Sequence, residues 1–181
     1  MSVICFGDSN TYGYDPRSFF GSRHPAEHRW VDLLGEKTGW HIRNAGLNGR
    51  EIPRVMPELP EDTQLLIVML GTNDLLQGRS VHETADRMER FLNSLTISRK
   101  CVMLIAPPPM SRGEWVPNES LIEASQVLAR TYRALAERCG ILFADAGAWN
   151  VPLCYDGVHF TEEGHRRFAD GLFQFLQKEC V

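Results

Sequence analysis

LLIVML, residues 65–70, is the stretch on which the fold turns. It contains no polar residue and no alternation of polar and apolar positions. An unbroken apolar run of this length reads as a strand buried on both faces, the way strands of a parallel sheet lie beneath helices. Working outward, CVMLIA at 101–106 matches it, VICF at 3–6 is similar, and HIRN at 41–44 and ILF at 141–143 are weaker versions. Helical patterns separate these runs. Ser80-Val81-His82-Glu83 is a capping box, and Val81, Ala85, Met88, Leu92 and Leu95 follow at helical spacing. Ser120-Leu121-Ile122-Glu123 repeats the device ahead of Ala124, Leu128 and Leu135. Thr161 is placed to cap a last helix with Glu162 and Glu163 in its first turn, and an earlier helix is expected over about 25–37, burying Trp30, Leu33 and Leu34. Alternating strands and helices predict an α/β fold with helices on both faces of a parallel sheet. Five strands in a chain this short suggest a flavodoxin-like five-stranded parallel sheet of order 2-1-3-4-5, with residues 1–181 as a single domain.

Composition agrees and excludes several functions. The 181 residues are 43% hydrophobic and 23% charged, which suits a globular domain and not a disordered or coiled-coil chain. Lys plus Arg number 19 against 23 Asp plus Glu, a net charge of −4, and no basic stripe is visible, so nucleic acid is not an expected partner. The longest apolar run is far short of the ~20 residues of a membrane helix, so no membrane partner is expected. Met1 is followed at once by a strand-like segment, with no basic region and no long apolar region, so no signal peptide is expected. The five cysteines, Cys5, Cys101, Cys139, Cys154 and Cys180, form no CxxC pair, which points to a reduced, cytoplasmic protein.

Ligands of open α/β sheets bind at the carboxyl ends of strands, so the residues after each run matter most. These are Gly7-Asp8-Ser9-Asn10, Asn44-Ala45-Gly46, Gly71-Thr72-Asn73-Asp74 and, late in the chain, Asp156-Gly157-Val158-His159. In a 2-1-3-4-5 order the first three meet at one spot. Acyl transfer needs such a set. A Ser hydroxyl becomes nucleophilic when a base takes its proton. His159 is the expected base for Ser9, and Asp156 would hold its tautomer and stabilise the imidazolium. The backbone N–H groups of Ser9 and Gly46 and the Asn73 amide would receive the oxyanion.

GDS near the start, the Gly of NAG, GTND and the late DGVH together resemble the SGNH/GDSL hydrolase superfamily over nearly the whole chain. The resemblance implies a three-layer α/β/α sandwich, ester hydrolysis without a cofactor, Ser9 as nucleophile, Gly46 and Asn73 as oxyanion donors, and Asp156 with His159 completing the triad. GDSNTYGYDP, HRW at 28–30, GLNGRE, IVMLGTND, APPP and DGVHFTEEGH are similar to its arylesterase branch, whose members also transfer acyl groups. Asn10 stands where that branch usually has Leu, and Asn48 where it often has Ser. The segment 50–64 is shorter than the insertion used by oligomers of that branch, so their assembly is not carried over, while a homo-oligomer is left open. A small-molecule ester is the implied substrate. The alternatives are a sugar O-deacetylase and, from another class, a catalytically silent binding domain.

Asn10 and Asn48 are expected beside Ser9, giving a polar pocket that favours acetyl and propionyl over octanoyl groups, with the three prolines Pro107–Pro109 stiffening a nearby loop. Tyr12, Tyr14, Phe19, Phe20, Trp115 and Val116 either line an acyl pocket or cover core ends. Asp8 and Asp74 read as structural carboxylates serving nearby turns. His24 and His28 have chelating spacing, but nothing completes a metal site, so none is expected. Cys154 lacks the donor set a rival nucleophile would need. His165 reads as a solvated or supporting residue, and His41 and His82 as surface residues. Gly7–Gly13 is not a phosphate loop of the GxxxxGK[ST] kind.

Overall fold

The computed structural model describes residues 1–18 and 22–179; Phe19, Phe20 and Cys180 lie outside the described residues. Five parallel strands, β1 (Ser2–Gly7), β2 (His41–Gly46), β3 (Leu65–Met69), β4 (Val102–Ala106) and β5 (Leu142–Asp145), form a sheet of order β2-β1-β3-β4-β5. This is the order the apolar runs predict.

Alternation along each strand divides the core. Val3, Cys5, Leu65, Ile67, Met103 and Ile105 face α2 (Trp30–Thr38) and α6 (Glu162–Glu179), burying Trp30, Leu34, Phe168 and Leu172. Ile4, Phe6, Leu66, Val68, Val102 and Leu104 face α3 (Thr72–Leu76), α4 (Val81–Asn93) and α5 (Glu119–Cys139), burying Leu75, Phe91, Leu128 and Tyr132. A strand side chain points to one face and its neighbour to the other, so a wholly apolar strand serves both layers. No described helix is long and apolar enough to cross a membrane.

Local expectations fare unevenly. The Ser80–Glu83 capping box is present, and Thr161 Oγ1 accepts the Gly164 N–H at 2.9 Å at the start of α6. The second box is not: α5 begins at Glu119 behind Asn118, with no side-chain cap. The helix expected over 25–37 is split. A 3-10 turn at Ala26–His28 is followed by an extended Arg29 (φ −91°, ψ 132°), and α2 starts at Trp30. Strand β2 runs on to Gly46, which pairs with Gly7 of β1, while Gly7 also pairs with Met69 of β3. The carboxyl ends of these three strands are therefore level, and the chain leaves them at the point where the strand order reverses. That is the place a ligand site is expected.

Candidate active site

Ser9 opens α1 (Ser9–Tyr12), a single turn directly after β1. Asp8 caps this turn: its carboxylate accepts the Asn10 N–H at 3.0 Å and is buried. The structural role expected of Asp8 is thus the one it plays. Burial pushes its carboxyl up to about 6, against the opposing pull of the Asn10 N–H and the nearby His159 and Arg50 charges.

His159 reaches Ser9 from a loop after β5. Its Nε2 lies 2.9 Å from Ser9 Oγ, and its Nδ1 lies 2.7 Å from Asp156 Oδ2. The other Asp156 oxygen accepts the Val158 and His159 N–H groups, each at 2.9 Å. Burial alone would raise the Asp156 carboxyl, but the His159 ring and the two N–H donors outweigh it and hold it below the usual carboxylate range. The rings of Tyr14 and Trp115 stand edge-on to the His159 imidazole, with centroids at 4.7 and 5.0 Å.

A cavity of about 260 Å³ opens on this chain of groups, lined by Ser9, Tyr14, Asn48, Gly49, Asn73, Trp115 and His159. Asn73 Nδ2 donates to the Arg50 carbonyl at 3.1 Å, which orients the amide and leaves its second hydrogen for a ligand. Trp115 is 48% exposed and forms the open wall. The loop that carries it is tied to the Asp156 loop, because the Ser111, Glu114 and Trp115 N–H groups donate to the Gly157, Tyr155 and Asp156 carbonyls.

Three expected site residues fall elsewhere. Gly46 does not offer its N–H to the cavity. It is still part of β2, its N–H donates to Asn44 Oδ1 at 2.9 Å, and a Cβ there would collide with the backbone of Thr11 and Tyr12. Its glycine is needed for this close approach. The turn follows it, with the Arg50 N–H donating to the Leu47 carbonyl, and Gly49 sits at the turn's third position with φ +70°. Gly49, not Gly46, faces Ser9 and Asn73 across the cavity, and its N–H has no acceptor among the described residues. Asn10 points away from the cavity: Nδ2 donates to the Val158 carbonyl at 3.1 Å and Oδ1 accepts the Phe160 N–H at 2.9 Å. Tyr12 is turned outward, with the Arg23 guanidinium stacked 4.2 Å over its ring, and Tyr14 takes the wall position instead.

Further residues resolve in the same way. Val116 is core. Asp74 does not cap the turn after β3. It is fully buried, accepts the Ile52 N–H at 3.0 Å and pairs with Arg87 Nε at 2.9 Å, so it anchors the segment after Gly49. Arg50, which the sequence offered only as part of GLNGRE and with no role of its own, stacks 4.1 Å over Phe6 and donates to the Gly7 carbonyl at 3.0 Å and to the Ala45 carbonyl, locking the ends of β1 and β2. His24 precedes the 3-10 turn and is buried against His165, with ring centroids 5.0 Å apart, so it shares no helix face with His28. His165 is buried, not solvated. Cys154 is buried as well, and burial pushes its thiol up to about 11, which leaves it un-ionised and a poor nucleophile at neutral pH.

Comparison with known proteins places this arrangement in context. The model of the GDSL-like Lipase/Acylhydrolase family matches residues 5–167. Est24, a carbohydrate acetylesterase from Sinorhizobium meliloti, is 26% identical with a TM-score of 0.81, over 98% of this chain and 98% of that one. The native M. smegmatis aryl esterase is 26% identical with a TM-score of 0.80, again over 98% of each chain. A member of the lipolytic protein G-D-S-L family from Veillonella parvula DSM 2008 shares the fold at 20% identity, with a TM-score of 0.80 over 98% of this chain and 99% of that one. Comparison with curated proteins gives no match.

Proposed function

The chain belongs to the GDSL-like lipase/acylhydrolase family, and from that premise we propose that it hydrolyses short-chain carboxylic esters through an acyl-enzyme on Ser9. The observation that carries this reading is the continuous hydrogen-bonded path from Ser9 Oγ through His159 to Asp156, at 2.9 and 2.7 Å, opening on a cavity shared with Asn73 and Gly49.

His159 Nε2 takes the Ser9 proton as Oγ attacks the ester carbonyl. Negative charge on the carbonyl oxygen is received by the Ser9 N–H, the Gly49 N–H and the free hydrogen of the Asn73 amide. The imidazolium is stabilised by Asp156, which its depressed pKa keeps ionised. His159 then gives its proton to the leaving alcohol. Water, activated by the same imidazole, attacks the acyl-enzyme and releases the acid. An alcohol in place of water gives acyl transfer as a side reaction.

The Asn48 amide on the wall of the cavity, between Tyr14 and Trp115, favours an acetyl or propionyl group over a long acyl chain, which would bury that amide against methylenes. The expected reason changes in one respect. Of the two amides, Asn48 lines the cavity, while Asn10 is satisfied elsewhere. A sugar O-acetyl ester is the second reading. It is favoured by the half-exposed face of Trp115, a platform for a leaving group outside the cavity, and by the likeness to Est24. The four described cysteines are unpaired, which supports work in a thiol-reducing compartment, the cytoplasm. Aryl esters graded from acetyl to octanoyl, assayed beside acetylated sugars, test the substrate class. The expected order is acetyl and propionyl first. A kcat/KM that rises steadily to octanoyl contradicts the short acyl site.

A further inference from the structure

We propose that Asn10 is a positioning residue for catalysis, its side-chain amide fastening the nucleophile's helical turn to the two peptide groups that flank His159. The proposal rests on the reading of Ser9 and His159 as nucleophile and base, and it concerns what fixes the distance between them.

Four backbone groups surround the His159 side chain in sequence, and all four are held. The His159 N–H donates to Asp156 Oδ1 at 2.9 Å, and its carbonyl accepts the Cys154 N–H at 2.7 Å. Both partners belong to the same loop as His159. The remaining two groups, the Val158 carbonyl and the Phe160 N–H, go to the two ends of one amide, at 3.1 and 2.9 Å. That amide belongs to the residue next to Ser9, across 148 and 150 positions of sequence. It is therefore the bond pair that ties the loop of the base to the turn of the nucleophile.

Asn10 is itself held on its main chain. Its N–H donates to Asp8, and its carbonyl accepts the Trp30 indole N–H at 3.0 Å. The residue is 4% exposed, so its bonds are sheltered from water. A planar group with a donor and an acceptor side by side meets both peptide groups at once. Leucine offers neither. Ionised aspartate offers only acceptors and sets a carboxylate against the Val158 carbonyl. Protonated aspartic acid again offers one donor and one acceptor.

Asn10→Leu and Asn10→Asp, assayed with a p-nitrophenyl acetate probe, test the proposal. Misplacing reacting groups by about 1 Å can cost about 10²-fold. Asn10→Leu is therefore expected to lower kcat about 10²-fold with KM within about two-fold of the wild type. Asn10→Asp should show a similar loss at about pH 8, and the ratio of its kcat to that of the wild type should climb toward about pH 5 as the new carboxyl gains its proton. Asp8 bonds this residue directly, Asp156 and His159 lie on the loop bonded to it, His165 touches Trp30 beside it, and the Arg50 charge lies near Asp8. All are present in both proteins, so a pH dependence of the ratio reports the new carboxyl together with its effect on these neighbours. Folded variants with wild-type kcat, or a loss confined to KM, overturn the assignment. Should Asn10→Leu fail to fold, the Asn10→Asp ratio decides: a ratio that is flat with pH overturns it. Ser9→Ala is the control for the underlying reading. If Ser9→Ala stays active, the nucleophile reading fails; if it is inactive and Asn10 variants are unaffected, the assignment of Asn10 alone fails.

Discussion

Among the described residues, the proton on Ser9 Oγ has one acceptor within reach, His159 Nε2 at 2.9 Å. Ser9→Ala and His159→Ala should each lower kcat by roughly 10⁴-fold or more, and the double variant should lose little beyond either single one, because the two side chains serve one proton transfer. Stopped assays on the three purified variants check this, and additive losses contradict it. Asn73→Ala should lower kcat by roughly 10²–10³, about 2.7–4 kcal/mol, with KM nearly unchanged, since the amide meets charge present only in the transition state. A change in KM alone would make Asn73 a substrate-binding residue. Ser9, Asn73, Asp156 and His159 could be picked out from the sequence as candidates because each sits in a short block after an apolar run, and the blocks taken together resemble those of the SGNH/GDSL hydrolases. Asn10 could not be assigned in that way. An amide beside a nucleophile reads as a pocket residue until the peptide groups it bonds, some 150 positions away, are seen beside it.

Elements explain why Gly46, expected at the cavity, is replaced there by Gly49. β3 and β4 are buried on both faces, and their apolar runs mark their ends to within a residue. β2 is an edge strand, HIRNAG, and all six of its residues are exposed or partly exposed. Its apolar signal stops before its hydrogen bonds do, so the turn begins after Gly46 and the cavity receives Gly49. Exposure blurs β5 for the same reason, shifting it toward Asp145. The segment after Gly49 is held by the buried Asp74 carboxylate, which serves both Ile52 N–H and Arg87. Asp74→Ala should strand that N–H and cost about 1–3 kcal/mol. A urea-unfolding midpoint reads the loss, and activity should fall with it as Gly49 and Asn73 lose their common support. A variant with unchanged stability contradicts the anchoring role.

At the scale of the whole molecule, stability should weaken in acid for a definable reason. Burial pushes the His165 imidazole down to about 3, and the adjacent His24 adds to this. The unfolded chain binds that proton below its ordinary value of about 6.5, and the native state does not until about 3, so stability is lost as pH falls through this window. Between about pH 7 and pH 4.5 this amounts to roughly 2–3 kcal/mol. His165→Phe keeps the ring packing against Phe160 and removes the titration. It also removes the acceptor of the Trp30 N–H at any pH. The variant should therefore be weaker at neutral pH yet lose less on acidification, as paired urea titrations would show; an equal acid loss contradicts the assignment. The central claim, that this fold presents Ser9 as an activated nucleophile, is tested most directly by treating the folded protein with a fluorophosphonate and mapping the adduct by mass spectrometry. The predicted result is a single adduct on the Ser9 peptide of the wild type, and none in His159→Ala. Labelling elsewhere, or no labelling of a folded wild-type protein, would contradict it.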